Sequence, residues 1–382
     1  MNFNEIIGQD FLKEYFQKII DYERVPHTQL FVGKEGVGTL PMAWAFAKYL
    51  LCNKNDNCNY KIKKLIHPDL HFIYPTATTS KVKKPDSKSF IQKWRNFMLE
   101  NPYGSLFDWM KYLEVENKQG FIRVIDAEDI IKKVSIKPYE ADYKVFIIWQ
   151  VEKMNTETVN KLLKILEEPP KDTKFILTAE TTDNILPTIL SRCQIHHFHP
   201  ISIIKIKNEL IKRFQLDADQ AVKIAHQANG NWLRALRLAE HNVSDNDFQL
   251  YFIRWVRIAF SAKNNKKSIN ELIKWSEEIA ALGRETQKQF LEFALESFRQ
   301  AMLLNYQTKD LVYFDFSKNN FHLNNFAPYI HSANIEKIYE EVNKTIYYVE
   351  RNANAKLLFL ELSIKLTKLI HLKEKTQLID KL

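Results

Sequence analysis

The sequence predicts an α/β module, a parallel sheet with helices on both faces, followed by a small helical lid and an all-helical C-terminal domain. Three observations predict it. Residues 28–51 run apolar strand, glycine loop, helix; strands and helices then alternate as far as Phe198; after Pro200 no strand signal remains and apolar residues recur at helical spacing. A parallel pair needs a crossover, usually a helix, so the alternation implies a sheet covered on both faces.

Taken in order, residues 5–24 read as an amphipathic helix (Ile7, Phe11, Leu12, Tyr15, Phe16, Ile19, Ile20), with Gly8-Gln9 near its start. Strand 28–32, the glycine loop and helix 41–52 follow. His67-Pro-Asp-Leu-His-Phe-Ile-Tyr-Pro75 reads as a second strand ended by proline. Residues 76–121 are less regular, mixing Lys81, Lys83 and Lys84 with Ser, Thr and Pro. The helical spacing of Trp94 and Phe97 there favours packing over base stacking. Asp126–Val134 reads as a helix and Lys144–Trp149 as a buried strand. A helix over 156–167 is stopped by Pro169-Pro170. Strand 175–179, a short helix 185–190 and strand 195–198 close the module. Helices near 202–215, 219–228 and 231–241 form the lid. Longer ones near 246–262, 269–281, 285–306, 335–350 and 354–371 form the last domain, with a loop at 310–332. The expected domains are 1–200, 201–243 and 244–382.

The glycine loop carries the first chemical signal. Gln29-Leu-Phe-Val-Gly-Lys-Glu-Gly-Val-Gly-Thr-Leu40 places Gly33, Gly36 and Gly38 within six residues of a chain that has only 8 glycines. A strand, a glycine loop and a helix form a cradle in which backbone N–H groups wrap a phosphate. The lysine that reaches the outer phosphates is replaced by Thr39, and the hydroxyl that holds Mg²⁺ by Leu40.

Three stretches in series go further: Ile6-Ile7-Gly8-Gln9 with His27-Thr-Gln-Leu-Phe-Val-Gly33; Asn160-Lys-Leu-Leu-Lys-Ile-Leu-Glu-Glu-Pro-Pro170; and Ile185-Leu-Pro-Thr-Ile-Leu-Ser-Arg-Cys193. Together they resemble the clamp-loader branch of the AAA+ family, nearest to its non-hydrolysing subunit in the bacterial DNA polymerase III holoenzyme. The resemblance covers residues 1–240. Beyond it only the placement of the helices and Arg351-Asn-Ala-Asn354 match. In the family's ATPases the loop ends in Lys-Thr and the strand matching 145–148 ends in Asp-Glu; here those last two positions are Trp149 and Gln150. Four losses in two motifs imply no turnover in this chain, because phosphoryl transfer needs the lysine and the Mg²⁺ ligands. Glu152 is the one acidic substitute nearby, sharing a face with Gln150 if the chain is extended. The family's lid arginine falls at Leu233. Arg234 is about 100° round the helix and, with Arg237, reads as a solvated position.

Ser191-Arg192-Cys193 is intact. The resemblance implies that Arg192 serves the ATP of a neighbouring subunit, its side chain projecting from the module's edge. Cys193 then reads as a packing residue. Relatives in this branch often bind zinc through four cysteines after the loop helix. Only Cys52 and Cys58 stand there, too few ligands for a structural zinc, so neither metal nor productively bound ATP is expected. The partners implied are the ATPase (tau/gamma) and delta subunits through a C-terminal collar, the sliding clamp, and primed DNA within the complex.

Composition is compatible with this. The 382 residues are 45% hydrophobic, and the net charge of +9 favours an anionic partner without naming one. Three cysteines suggest no disulfide framework. The start, Met1-Asn-Phe-Asn-Glu5, is not that of a secretory signal, and no membrane span is visible, so a cytoplasmic location is expected. Two other readings remain at this level. A motor with its own ATPase is opposed by the loop residues. A stand-alone nucleic-acid binder would need more than a charge of +9 over this length.

Overall fold

The computed structural model describes residues 1–52, 56–115, 118–240, 244–263, 265–306, 312, 316, 321–351 and 353–372. The chain forms two compact units, Met1–Glu240 and His241–Leu382.

The first unit is built on five parallel strands, β1 (Thr28–Val32), β2 (Leu70–Ile73), β3 (Lys144–Ile148), β4 (Thr173–Ala179) and β5 (Gln194–His197), in the order β2-β3-β4-β1-β5. Every residue of β1, β3 and β4 is buried, which is why their centres are continuous apolar runs (Leu30–Val32, Val145–Ile148, Phe175–Leu177) that do not alternate. Phe31 packs on one face with Phe16 and Phe46, while Leu30 and Val32 pack on the other with Phe146 and Leu162. The helices are α1 (Asp10–Asp21), α2 (Thr39–Leu51), α3 (Asp56–Lys63), α4 (Ile91–Glu100), α5 (Leu106–Tyr112), α6 (Val124–Val134), α7 (Thr156–Glu167), α8 (Pro187–Leu190) and the lid helices α9 (Ile203–Phe214), α10 (Ala218–Ala228) and α11 (Trp232–Ala239).

The expected α/β architecture is present, with two local corrections. The first helix begins at Asp10 and not near residue 5, because Gly8 (φ 69°) and Gln9 (φ 57°) turn the chain through left-handed conformations. The stretch 76–121 is not irregular. Its helices α4 and α5 pack around Trp94, Phe97 and Trp109, all about fully buried. Tyr74 stacks on Trp94 at 4.1 Å, and Trp109 meets Trp94 edge-on at 5.1 Å. The aromatics of this insert are a core.

The second unit is helical: α12 (Ser244–Ala262), α13 (Lys266–Ala280), α14 (Arg284–Asn305), α15 (Leu323–Phe326), α16 (Ser332–Glu350) and α17 (Ala355–Leu369). Trp255 and Trp275 stack at 5.1 Å in its centre, and the Trp255 indole N–H donates to Ser363 Oγ at 2.8 Å. The loop expected at 310–332 contains α15 and a following 3₁₀ turn. Its positions 310, 311, 313–315 and 317–320 lie outside the described residues. Of the segment 351–354, position 352 lies outside them too. Asn354 caps α17 by accepting the Leu357 N–H at 3.2 Å. Phe359 and Leu362 of α17 are buried, whereas Leu357 and Ile364 are 63% and 44% exposed. No described helix is long and apolar enough to cross a membrane.

Candidate functional site: a closed cleft and an arginine turn

The glycine loop leaves β1 at the C-terminal edge of the sheet, where open α/β sheets bind their ligands. Gly33 donates its N–H to Ala179 O of β4 at 3.0 Å, and Gly38 caps α2. Gly36 (φ 73°) lies so close to the lid that an added Cβ would fall 1.8 Å from Asn231 Oδ1. Its carbonyl accepts the Trp232 N–H of α11 at 3.0 Å. The loop is thus tied to sheet and lid together.

Around the loop, Thr39 stands at the first residue of α2, and Leu40 is buried in the core beneath it. Trp149 is also a core residue, 5.1 Å from Trp94, and packs into the aromatic core of the insert. Gln150 donates its N–H to Thr178 Oγ1 and its side-chain amide to Glu180 Oε1 at 2.9 Å. Glu152 does not share its face. Gln150 is left-handed (φ 59°) and opens a 3₁₀ turn, so the chain is not extended there. Glu152 Oε1 instead accepts the Glu180 N–H at 2.9 Å, and burial pushes this carboxyl up to about 7.

The cleft above the loop is filled by the insert. Pro102, Tyr103, Gly104 and Ser105 line it opposite Gly36, Gly38 and Thr39, leaving a free volume of about 20 Å³. That is room for about one water, against roughly 300–1,000 Å³ for a small-molecule site. The charged side chains lining it are the carboxylates of Glu35 and Glu180.

In the lid, Leu233 is buried, and the Arg234 N–H is capped by Asn231 Oδ1 at 3.0 Å. Arg237 is not a solvated position: its guanidinium donates to both carboxylate oxygens of Asp108, at 2.9 and 3.0 Å.

Ser191, Arg192 and Cys193 form the turn between α8 and β5. Arg192 does not extend from the edge. Its guanidinium folds back to donate to Thr188 O at 2.8 Å and to Glu167 Oε2 at 2.9 Å, with the side chain 25% exposed. Cys193 packs against the sheet core, and burial pushes its thiol up to about 12, so it is no nucleophile at neutral pH.

Cys52 and Cys58 are joined as a disulfide, their Cα atoms 5.4 Å apart. No disulfide framework was expected of three cysteines; this single bond between Cys52 and Cys58 is the departure from that expectation. The end of α2 and the start of α3 face each other across a short connection, which brings the two sulfurs together. Neither sulfur is then left as a thiolate for zinc. No cluster of three or more metal-ligating side chains occurs among the described residues.

Sequence reasoning missed Tyr103, Asp108 and Asp69. Asp69 is buried and accepts the N–H groups of Tyr139, Glu140 and Ala141 at 2.6–3.0 Å, fixing the loop before β3. The sequence His-Pro-Asp signalled Asp69, and the capping box Ser105-Leu-Phe-Asp108 signalled Asp108; nothing local signalled Tyr103.

A parallel sheet of this order, with a glycine loop at its edge and a three-helix lid bonded to that loop, defines an AAA+ module. The chain belongs to the family described as DNA polymerase III, delta subunit, a clamp-loader family whose model matches residues 8–202. It is 27% identical over 231 residues to DNA polymerase III subunit delta′ of Bacillus subtilis, covering 58% of this chain and 56% of that one. It is 26% identical over 247 residues to DNA polymerase III subunit gamma of Buchnera aphidicola, covering 63% and 59%. The chain thus spans less than two thirds of the length of these relatives. A solved DNA polymerase III gamma subunit-related protein from Thermotoga maritima matches 93% of this chain and 99% of its own at 12% identity, with a TM-score of 0.42.

Proposed function

We propose that this chain is the delta′-type, non-hydrolysing subunit of a DNA polymerase III clamp loader, acting in cytoplasmic DNA replication. Its partners in this reading are the tau/gamma ATPase and delta subunits, the sliding clamp, and primed DNA. The carrying observation is the state of the glycine-loop cleft: Thr39 stands in place of the phosphate lysine, and the lining charges are Glu35 and Glu180. A AAA+ module that keeps its cradle but not its chemistry has work only on a nucleotide held elsewhere. Arg192, in an intact Ser-Arg-Cys turn on the surface, is the group available for it. A planar, permanently charged guanidinium stabilises charge developing on a γ-phosphate.

The test is Arg192→Ala in the reconstituted complex. Such arginines are worth about 10³–10⁵ in rate in small GTPases. In an assembly with several ATP sites the total falls several-fold only. Assembly stays intact while DNA- and clamp-stimulated ATPase and clamp loading slow, and Arg192→Lys rescues poorly because it lacks the fork. Wild-type loading by the Arg192→Ala complex rules the role out. Steady-state ATP turnover by the isolated chain, lost on mutating its own loop, would instead favour a motor.

A further inference from the structure

We infer that the glycine-loop cleft is a ligand site whose ligand is the chain's own segment Pro102–Ser105, with Tyr103 in place of a nucleotide and the insert acting as the strap that holds the lid down. This goes beyond the clamp-loader assignment and holds whichever complex the chain serves.

Tyr103 is 6% exposed although it lies in a connection between two helices. It belongs to one buried cluster with Ile7 of the N-terminal segment, Ile201 at the entry to the lid, and Ile206 and Trp232 of the lid. Its hydroxyl oxygen accepts the Ile7 N–H at 2.9 Å, and a Cβ on Gly38 would lie 3.3 Å from its ring. One side chain therefore bonds the entry segment, lies against the glycine loop and shares a core with the lid. Burial also pushes its phenol up to about 12, so it stays neutral against the loop.

The segment is shaped for the place. Gly104 passes Phe97 so closely that an added Cβ would sit 2.6 Å from its ring. Immediately after, Ser105 caps α5 by accepting the Asp108 N–H at 3.1 Å. The same Asp108 takes the Arg237 guanidinium of α11. Plug and strap thus occupy consecutive turns of one insert, whose base rests on Trp149. In an unfilled cleft, two polar walls and the apolar lid face would be left to water. Filling it with a tyrosine makes lid position independent of any soluble ligand.

The experiment uses the full chain as wild type, Tyr103→Phe, Tyr103→Ala and Arg237→Gln. Each is read by amide hydrogen exchange and by titration with a fluorescent ATP analogue plus Mg²⁺. Wild type and Tyr103→Phe bind no probe and protect the lid amides of 203–239. Tyr103→Ala speeds lid exchange roughly tenfold or more, since it removes a buried aromatic from the hinge of the unit, while β1, β3 and β4 stay protected. Arg237→Gln, with the plug intact, speeds it less. Saturable probe binding by wild type overturns the inference, and so does a folded Tyr103→Ala whose lid exchanges at the wild-type rate. If Tyr103→Ala fails to fold, the wild-type titration and Arg237→Gln decide: a lid unchanged in Arg237→Gln refutes the strap.

Discussion

Arg192 is held against its own module by Thr188 O and by the Glu167 carboxylate, an ion pair with Glu167 half exposed. A pair of this kind contributes only about 0–1 kcal/mol, so exchanging Glu167 for another anion would cost little. Glu152 shows the opposite case, a charge that burial opposes. Its carboxyl is raised from 4.5 to about 7, and Oε2 is buried without a hydrogen-bond partner. A raised carboxyl keeps its proton in the folded chain when the unfolded chain has lost it. Stability from this group is therefore highest below about pH 4.5 and falls as the pH rises toward 7. Glu152→Gln removes that loss while keeping an acceptor for the Glu180 N–H. We expect it to stabilise the chain by up to ~2 kcal/mol at pH 8 and by almost nothing at pH 4.5. Urea midpoints at the two pH values read this directly, and an equal effect at both would refute the ionisation account.

At the level of elements, α17 presents two apolar faces to different fates. Phe359 and Leu362 enter the core beside Trp275, while Leu357 and Ile364, seven residues apart and so on one face, stay in solvent. If that stripe is an assembly surface, Leu357→Asp with Ile364→Asp releases the chain from its partner subunits on size exclusion. Its own stability changes little, as at an exposed helix face. Retained co-elution counts against the assignment. The same helix illustrates what the sequence made legible. Its apolar period and the Asn354 cap are local signals, and so are the buried runs of β1, β3 and β4, found to within two residues. The start of α1 was misplaced because Gly8-Gln9 breaks a helix by backbone geometry that periodicity does not register. The insert was read as irregular because its order comes from Tyr74 and Trp149, which join it from outside. Tyr103 in the cleft and Arg237 on Asp108 are contacts across 96 and 129 residues, and no spacing rule reaches that far. The disulfide likewise depends on where two helix ends meet.

On the scale of the molecule, the first unit closes its sheet, insert and lid cores within residues 1–240. A fragment ending at 240 is therefore expected to fold alone and to unfold in one cooperative urea transition by circular dichroism. It should neither turn over ATP nor co-elute with the partner subunits. A fragment without a cooperative transition would show that the second unit is needed to complete the first. Trp149 ties the sheet of this unit to its insert. Its indole lies in the aromatic core that carries the insert, and the insert in turn carries Tyr103 into the cleft. An aspartate restored at 149 would put a carboxylate among Trp94 and Phe97, where it would have to give up its charge or unseat the helices around it. A lysine restored at 39 would still face an occupied cleft. Neither substitution alone would clear the cleft, because Tyr103 and the aromatic core that carries it would stay in place.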